Sequence, residues 1–301
     1  MTGQGFLQRL RAGEILISDG ATGSSLLQSG LKQGESAEGW VLEKPEEICR
    51  LAKSFVAAGA DIILTCTFGG TRLRLQASGL GAQAEAINRE AVAIARHAVE
   101  GTAVLVAGSI GPTGQMLKPF GTITQEEAQA SYAEQASCLH QAGVDLLVIE
   151  TQFDIDEATA AVCGVRSVSD LPLVCSFSYD RGRRTMMGVS PAQMAEIFGV
   201  MDVDLLGINC GRSLDENLAA LQQLHQVTDK PIWFKPNAGL PSLGEAGRPV
   251  YAVSPDEMAA AVPAWIAAGA SVIGGCCGTS PEHLGRIADA VKNFNSQAHA
   301  G

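Results

Sequence analysis

Thiols at the ends of apolar runs are the groups in this sequence best suited to chemistry. Residues 271–279 read SVIGGCCGT: a short β-compatible run, two glycines, then the adjacent Cys276 and Cys277. Neighbouring side chains on a strand point to opposite faces, so adjacent cysteines meet one ion only where the strand has ended and the backbone turns. Flanking glycines permit that turn. Residues 205–211, LLGINCG, place Cys210 at the same point of another apolar run. Three thiolates on two loops suit a zinc ion with one coordination position left open. A vicinal pair serves equally as buried small residues or as a redox couple, and the gap from Cys210 matches no short zinc-finger spacing.

The elements that must carry these thiols follow a simple alternation. Short β-branched or apolar runs at 15–18, 61–64, 103–107, 145–149, 171–176, 204–208, 231–235 and 271–273 alternate with segments of helical periodicity. The helices are predicted at about 45–59, 84–99, 125–142, 155–167, 190–200, 213–227, 255–268 and 281–293. Thr124, Ser190, Ser254 and Ser280 stand before acids or proline as N-caps, and Gly59, Gly143 and Gly269 read as helix stops. Eight such units favour an α/β fold, a single (β/α)8 TIM barrel spanning residues 1–301, over an open doubly wound sheet. No GxGxxG follows a strand, which weakens a dinucleotide-binding version of the open sheet.

Composition is compatible with a large core: 46% of the 301 residues are hydrophobic. A formal charge of -11 argues against a nucleic-acid or anionic-membrane partner. The first residues lack the apolar stretch of a secretory signal, and no run reaches the ~20 apolar residues of a membrane span, so a cytoplasmic location is expected. Eight cysteines in such a chain favour metal binding or burial over disulfides.

In a parallel barrel, function gathers on the loops after the strands. Those loops carry Asp19 and Gly20 after the first strand, Thr65, Cys66 and Thr67 after the second, and GSIGPTG after the third. Glu150 ends the fourth, Cys210 the sixth, KPNAGLP the seventh, and Cys276 and Cys277 the eighth. The two longest connections, 20–44 and 236–254, lie on the same rim and are expected to cover the barrel mouth.

With these loops placed, the chain resembles the homocysteine S-methyltransferase family, which includes the homocysteine-binding module of cobalamin-dependent methionine synthase, betaine-homocysteine methyltransferase and S-methylmethionine-dependent enzymes. DGATGSSL, TCTF, GSIGPTG, ETQFD, SYDRGRRTMMG, GINCG, PNAGLP and GGCCGTSPEH carry the likeness, most specifically GINC with GGCCG. The resemblance implies a zinc-containing (β/α)8 barrel that methylates the sulfur of homocysteine to give methionine. Cys210, Cys276 and Cys277 match the family's zinc ligands. Asp19 and Glu150 match acids that recognise the substrate's amino group, with backbone amides around Gly20 and Thr67 for its carboxylate. Asn237 is the match for an oxygen ligand that completes the zinc shell when substrate is absent.

The motifs sit closest to the cobalamin-dependent module, which implies a separate methyl-corrinoid protein as donor, because the 301 residues contain neither a folate nor a cobalamin domain. Direct transfer from S-methylmethionine or betaine is the alternative, and a non-catalytic zinc- or thiol-binding barrel is the reading from another class. Cys66 departs from the amide expected in TNTF. Of the remaining thiols, Cys49, Cys138 and Cys163 fall on predicted helices and Cys175 in a strand, where burial is expected. His97, His140, His225 and His283 fall on helices in packing or solvent-facing roles. The cluster Arg181, Arg183 and Arg184 reads as a solvated loop or part of a donor's docking surface.

Overall fold

The computed structural model describes residues 3–244 and 249–298. Eight parallel strands, β1 (Leu16–Ile17), β2 (Ile62–Leu64), β3 (Leu105–Ile110), β4 (Leu146–Gln152), β5 (Leu173–Phe177), β6 (Leu205–Cys210), β7 (Ile232–Pro236) and β10 (Ala270–Ile273), form one sheet. Each strand pairs with its successor from β2 to β7, β10 pairs with β7, and β1 with β10. A parallel bridge between Ser18 and Ile62 joins β1 to β2 and brings the sheet's two edges together. The fold is thus a single (β/α)8 barrel, and the open sheet is excluded. Each predicted strand and helix occurs, with ends displaced by a few residues.

Outside the barrel lie α4 (Pro45–Ala57), α6 (Ala84–Ala98), α7 (Gln125–Ala142), α8 (Ile155–Arg166), α9 (Pro191–Phe198), α10 (Leu214–His225), α11 (Pro255–Ala267) and α12 (Pro281–Ala298). Their starts are fixed by local chemistry. Thr124, Ser190 and Ser254 each accept from the third helical N–H while the residue there returns a bond to the cap, and Asp154 accepts from Asp156 and Glu157. Gly59, Gly143 and Gly269 take positive φ where helices stop.

Alternation along the strands divides the core in two. Ile63, Val106, Leu147, Ile208 and Phe234 face outward against helix residues such as Tyr132, Leu139, Phe198 and Trp265. Leu16, Ile62, Leu105, Leu146, Val148, Val174, Leu205, Trp233 and Val272 fill the lumen. An unpredicted helix, α1 (Gly3–Arg11), plugs the N-terminal end with Phe6 and Leu10. Its Arg9 bonds to Glu14 at 2.7 Å and Asp61 at 3.0 Å.

Both long connections contain structure that periodicity did not reveal. The first folds into α2 (Thr22–Gln28) and α3 (Gly39–Glu43), which pack with α5 (Arg72–Gln76), α4 and α6 through Leu26, Trp40, Val41 and Leu75. A 3-10 turn follows at Gly81–Gln83. The second connection forms an antiparallel hairpin of β8 (Pro241–Leu243) and β9 (Pro249–Tyr251), with residues 245–248 outside the described set. These elements are too short for a readable period; packing on α4 and α6 holds the short helices, and β8 and β9 hold each other by pairing.

Candidate metal centre and substrate cavity

Above the apolar lumen the next inward-facing positions are polar. Ser109 on β3, Glu150 on β4, Ser176 on β5, Asn209 on β6 and Lys235 on β7 are all buried. They form the floor layer of the barrel mouth. A cavity of about 740 Å³ opens there, and its wall includes Gly20, the 34–38 segment, Thr65, Cys66, Phe68, Glu150, Thr151, Lys235 and all three predicted thiol ligands. The first long connection therefore forms one side of the cavity.

The chain turns sharply to present each sulfur. β6 ends with Cys210 at φ 62° and Gly211 at φ 80°, two successive left-handed residues, of which the cysteine is the strained one. Register sets Cys210 beside Pro236 of β7. Asn237 then ties the loops together: its Oδ1 accepts from Cys277 N at 2.9 Å and its Nδ2 donates to Gly211 O at 2.8 Å. Cys276 N donates to Pro236 O and Ala238 N to Cys277 O, both at 2.9 Å. Tyr251 of the hairpin lies against Gly278, where a Cβ would meet the ring at 2.2 Å. Only glycine fits there, at φ 81°.

The outcome is that the Sγ atoms of Cys210, Cys276 and Cys277 lie within 4.8 Å of one another, with Cys210 and Cys276 at 3.1 Å. Asn209 is turned with its amide nitrogen toward them, 3.6 Å from Cys210 Sγ and 3.9 Å from Cys276 Sγ. Its oxygen accepts from Ser176 Oγ at 2.6 Å and Thr151 N at 2.9 Å, which fixes that orientation. Thr151, also left-handed at φ 61°, accepts from Asn209 Nδ2 at 2.7 Å.

The three thiols share their protons unevenly. Hydrogen bonds from Cys210 and Cys276 hold Cys277 well below the ordinary thiol value, aided by the Tyr251 hydroxyl. Cys210 is pushed well up by its bonds to Cys276 and Cys277 and by burial. At Cys276 the Cys210 bond lowers the value, but the Cys277 bond, burial and the Cys277 charge outweigh it, and it stands at about 12. Such a cluster fits zinc. Sulfurs around one tetrahedral ion with bonds of about 2.3 Å stand roughly 4 Å apart, between the closest approach seen and the outer limit. Soft thiolate donors also match that metal.

The remaining predicted residues divide. Glu150 lines the cavity and accepts from Ser109 Oγ at 2.5 Å. Burial raises its carboxyl to about 7, against the opposing pull of Lys235. Asp19 is not among the lining residues; it stands behind Lys235, whose Nζ is 2.6 Å from Asp19 Oδ1, and its other oxygen accepts from Leu64 N at 2.7 Å. Burial pulls the Lys235 ammonium down, but Asp19 and Glu150 outweigh it and its pKa is raised; burial also raises the Asp19 carboxyl, against the pull of Lys235 and of the Leu64 amide. Gly20 lines the cavity where the chain passes Phe55 and Thr279; a Cβ would stand 2.5 Å from Thr279 O. Thr67 lies beneath the wall, its Oγ1 donating to Ser109 O at 2.7 Å and its N–H to Thr65 O at 2.9 Å. Cys66 reaches the wall, its thiol 3.6 Å from Ala37 O.

Sequence reasoning set Lys235, Asn209 and Thr151 on the rim without giving them a role, and it missed Tyr251. Lys235 had a signal: a charge two residues after Trp233 in an apolar strand shares its face, which is the lumen. Of the other thiols, Cys175 is buried, while Cys49 and Cys138 are half-buried. Cys163 corrects the expectation of burial, since it is exposed on a face of α8 directed away from the core. His283 caps α12 with Ser280 and bonds to Val253 O at 2.9 Å, and Arg181, Arg183 and Arg184 are exposed.

A family model described as homocysteine S-methyltransferase matches residues 16–291. Methionine synthases of Mycobacterium tuberculosis and Mycobacterium leprae are 29% and 28% identical over 93% and 94% of the chain. The chain spans about a quarter, 25%, of the length of these curated relatives. Among solved structures, the metallated form of the homocysteine methyltransferase MmuM from Escherichia coli superposes with a TM-score of 0.77 at 29% identity, covering 92% of this chain and 96% of that one.

Proposed function

Given that the chain belongs to the homocysteine S-methyltransferase family, an enzyme family, we propose that it transfers a methyl group to the sulfur of homocysteine, giving methionine. The observation that carries this reading is the meeting of three cysteine sulfurs within 4.8 Å at the floor of a cavity that also presents Glu150. Cys210, Cys276 and Cys277 would hold zinc, which supplies a thiolate form of the substrate sulfur at neutral pH, where a free thiol with a pKa near ~8.5 is mostly protonated.

Around that sulfur the chain's own residues do the positioning. Asn209 donates toward the cysteine sulfurs and limits how their charge is spread. Glu150 receives the substrate ammonium through a charge-assisted hydrogen bond. Asp19 acts on the site through Lys235, and the wall around Gly20 and the turn held by Thr67 shape the carboxylate end. Asn237 keeps its role as loop clamp, and the second lone pair of its oxygen is the part available to a metal when substrate is absent. No general base is required, because transfer to a sulfur already held as thiolate needs only an in-line methyl group.

The proposed donor is a separate methyl-corrinoid protein. Two observations favour a corrinoid donor: identity to methionine synthases, and exposed Met116, Phe120 and Met187 that line one hollow on the loops after β3 and β5. Direct transfer from S-methylmethionine or betaine is the second reading, favoured by the match to the solved homocysteine methyltransferase MmuM. A cytoplasmic setting follows from the need to keep three thiols reduced; no helix among the described residues is long and apolar enough to cross a membrane.

The test is to incubate zinc-loaded protein and homocysteine with a methylated corrinoid protein, S-methylmethionine or betaine in separate reactions and to measure methionine. Methionine from the corrinoid alone supports the main reading, and turnover with a small donor alone replaces it. X-ray absorption should show a sulfur added to zinc when homocysteine binds; an unchanged three-sulfur shell would sink the proposed chemistry.

A further inference from the structure

Glu35, Glu38 and Arg74 line the outer wall of the cavity, and its floor layer presents two further charges of opposite sign, Glu150 and Lys235. Both are buried, and each has a different neighbour: Glu150 accepts from the neutral Ser109, whereas Lys235 stands on Asp19. Each Asp19 oxygen already accepts a hydrogen bond, one from Lys235 Nζ and one from Leu64 N. Asp19 therefore has its charge compensated and its position set behind the wall. An incoming ammonium placed between Asp19 and Glu150 would have to sit against the Lys235 ammonium, a like-charge contact in a low-dielectric site.

A buried ion pair is a weak source of stability, and a lysine inside a barrel lumen calls for another reason. Its ammonium has three N–H donors, and among the described residues one of them is engaged, by Asp19. The side chain is 3% exposed, and that exposure is toward the cavity. Trp233, one layer down on the same face of β7, has its ring centroid 5.8 Å from Nζ and backs the stem from below. The free donors therefore face whatever enters from the mouth.

We propose that Lys235, held by Asp19, binds the carboxylate of the thiol substrate, while Glu150 alone takes its ammonium, so that the floor reads both ends of an α-amino acid. This rests on the homocysteine reading and names how that substrate is selected. Thiols lacking either charged end are then poor ligands, and the loss follows the residue that reads the missing group.

The experiment measures binding to zinc-loaded protein by calorimetry with three thiols: homocysteine, 3-aminopropane-1-thiol, which lacks the carboxylate, and 4-mercaptobutyrate, which lacks the amine. Lys235→Met alone would strand the buried Asp19 charge, so the variant used is the double change Lys235→Met with Asp19→Asn, checked for zinc content and circular dichroism. It should weaken homocysteine by roughly tenfold or more, the scale of a hydrogen bond to a charged group, and leave 3-aminopropane-1-thiol unchanged. Glu150→Gln should weaken homocysteine and leave 4-mercaptobutyrate unchanged. A double variant that binds homocysteine as the wild type does, weakens both amine-bearing thiols equally, or fails to fold and load zinc would overturn the assignment, the last by showing the pair to be structural. Wild-type protein that binds none of the thiols would overturn the homocysteine reading, and this inference with it.

Discussion

The two ends of the barrel are built from the same strands and follow opposite rules. At the N-terminal end the lumen is closed by Phe6 and Leu10 of α1, and Arg9 meets Glu14 and Asp61 in satisfied ion pairs. At the C-terminal end the lumen turns polar, Thr151 and Cys210 hold left-handed backbone, and three sulfurs crowd together. One end carries packing without strain. The other accepts strained backbone and buried charge, which the rest of the barrel must stabilise, and such features concentrate where ligands are handled. The lesson is that strand alternation sets which side chains meet in the lumen, while the layer they occupy sets what they do.

Changes at the mouth should therefore remove function and spare the fold. Cys277→Ser takes one of three sulfurs; zinc content should collapse and methyl transfer fall by roughly a thousandfold, about 4 kcal/mol, with thermal unfolding of the metal-free forms little changed. At the closed end the reverse should hold. Phe6→Ala should cost about 3–5 kcal/mol of stability by chemical denaturation, while the folded fraction keeps its turnover number. A metal-free Cys277→Ser protein as unstable as Phe6→Ala would break the contrast.

Asn209→Ala sharpens it, because the amide touches the sulfurs without being proposed as a ligand. Zinc affinity should drop by roughly 10–100-fold in a chelator competition, with the barrel intact. pH gives a further reading of the mouth. Glu150 stands at about 7, above the ordinary 4.5, because it is buried. Its carboxylate prevails above that value, so homocysteine affinity should weaken by about tenfold per pH unit as pH falls below about 7, and Glu150→Gln should flatten the profile. The linkage to stability has the opposite sign: a raised carboxyl favours the fold below its unfolded value, and that contribution is lost as pH rises through about 7. The smallest effect belongs to Cys163→Ser, an exposed thiol on the outer helix α8, which should change neither stability nor activity within error.

Local chemistry made much of this legible. Each of the eight strands, the eight helices outside them, and the caps at Thr124, Ser190 and Ser254 follow from period and from side chains that bond to their own helix. The three thiols could be singled out because glycine-flanked cysteines at strand ends are a local pattern. The short helices α2, α3 and α5 and the hairpin of β8 and β9 were not legible, since segments of that length hold their shape only through contacts with other parts of the chain.

The amino-acid order alone settled the repeat of strand and helix and put sulfur at the ends of β6 and β10, because dihedral preference and side-chain period are properties of neighbouring residues. Folding in three dimensions decided that Asp19 stands behind Lys235, 216 positions away, and that Asn237 joins the loops bearing the sulfurs. Those pairings depend on how the strands are staggered around a closed barrel, a quantity fixed by the whole sheet and written in no single segment.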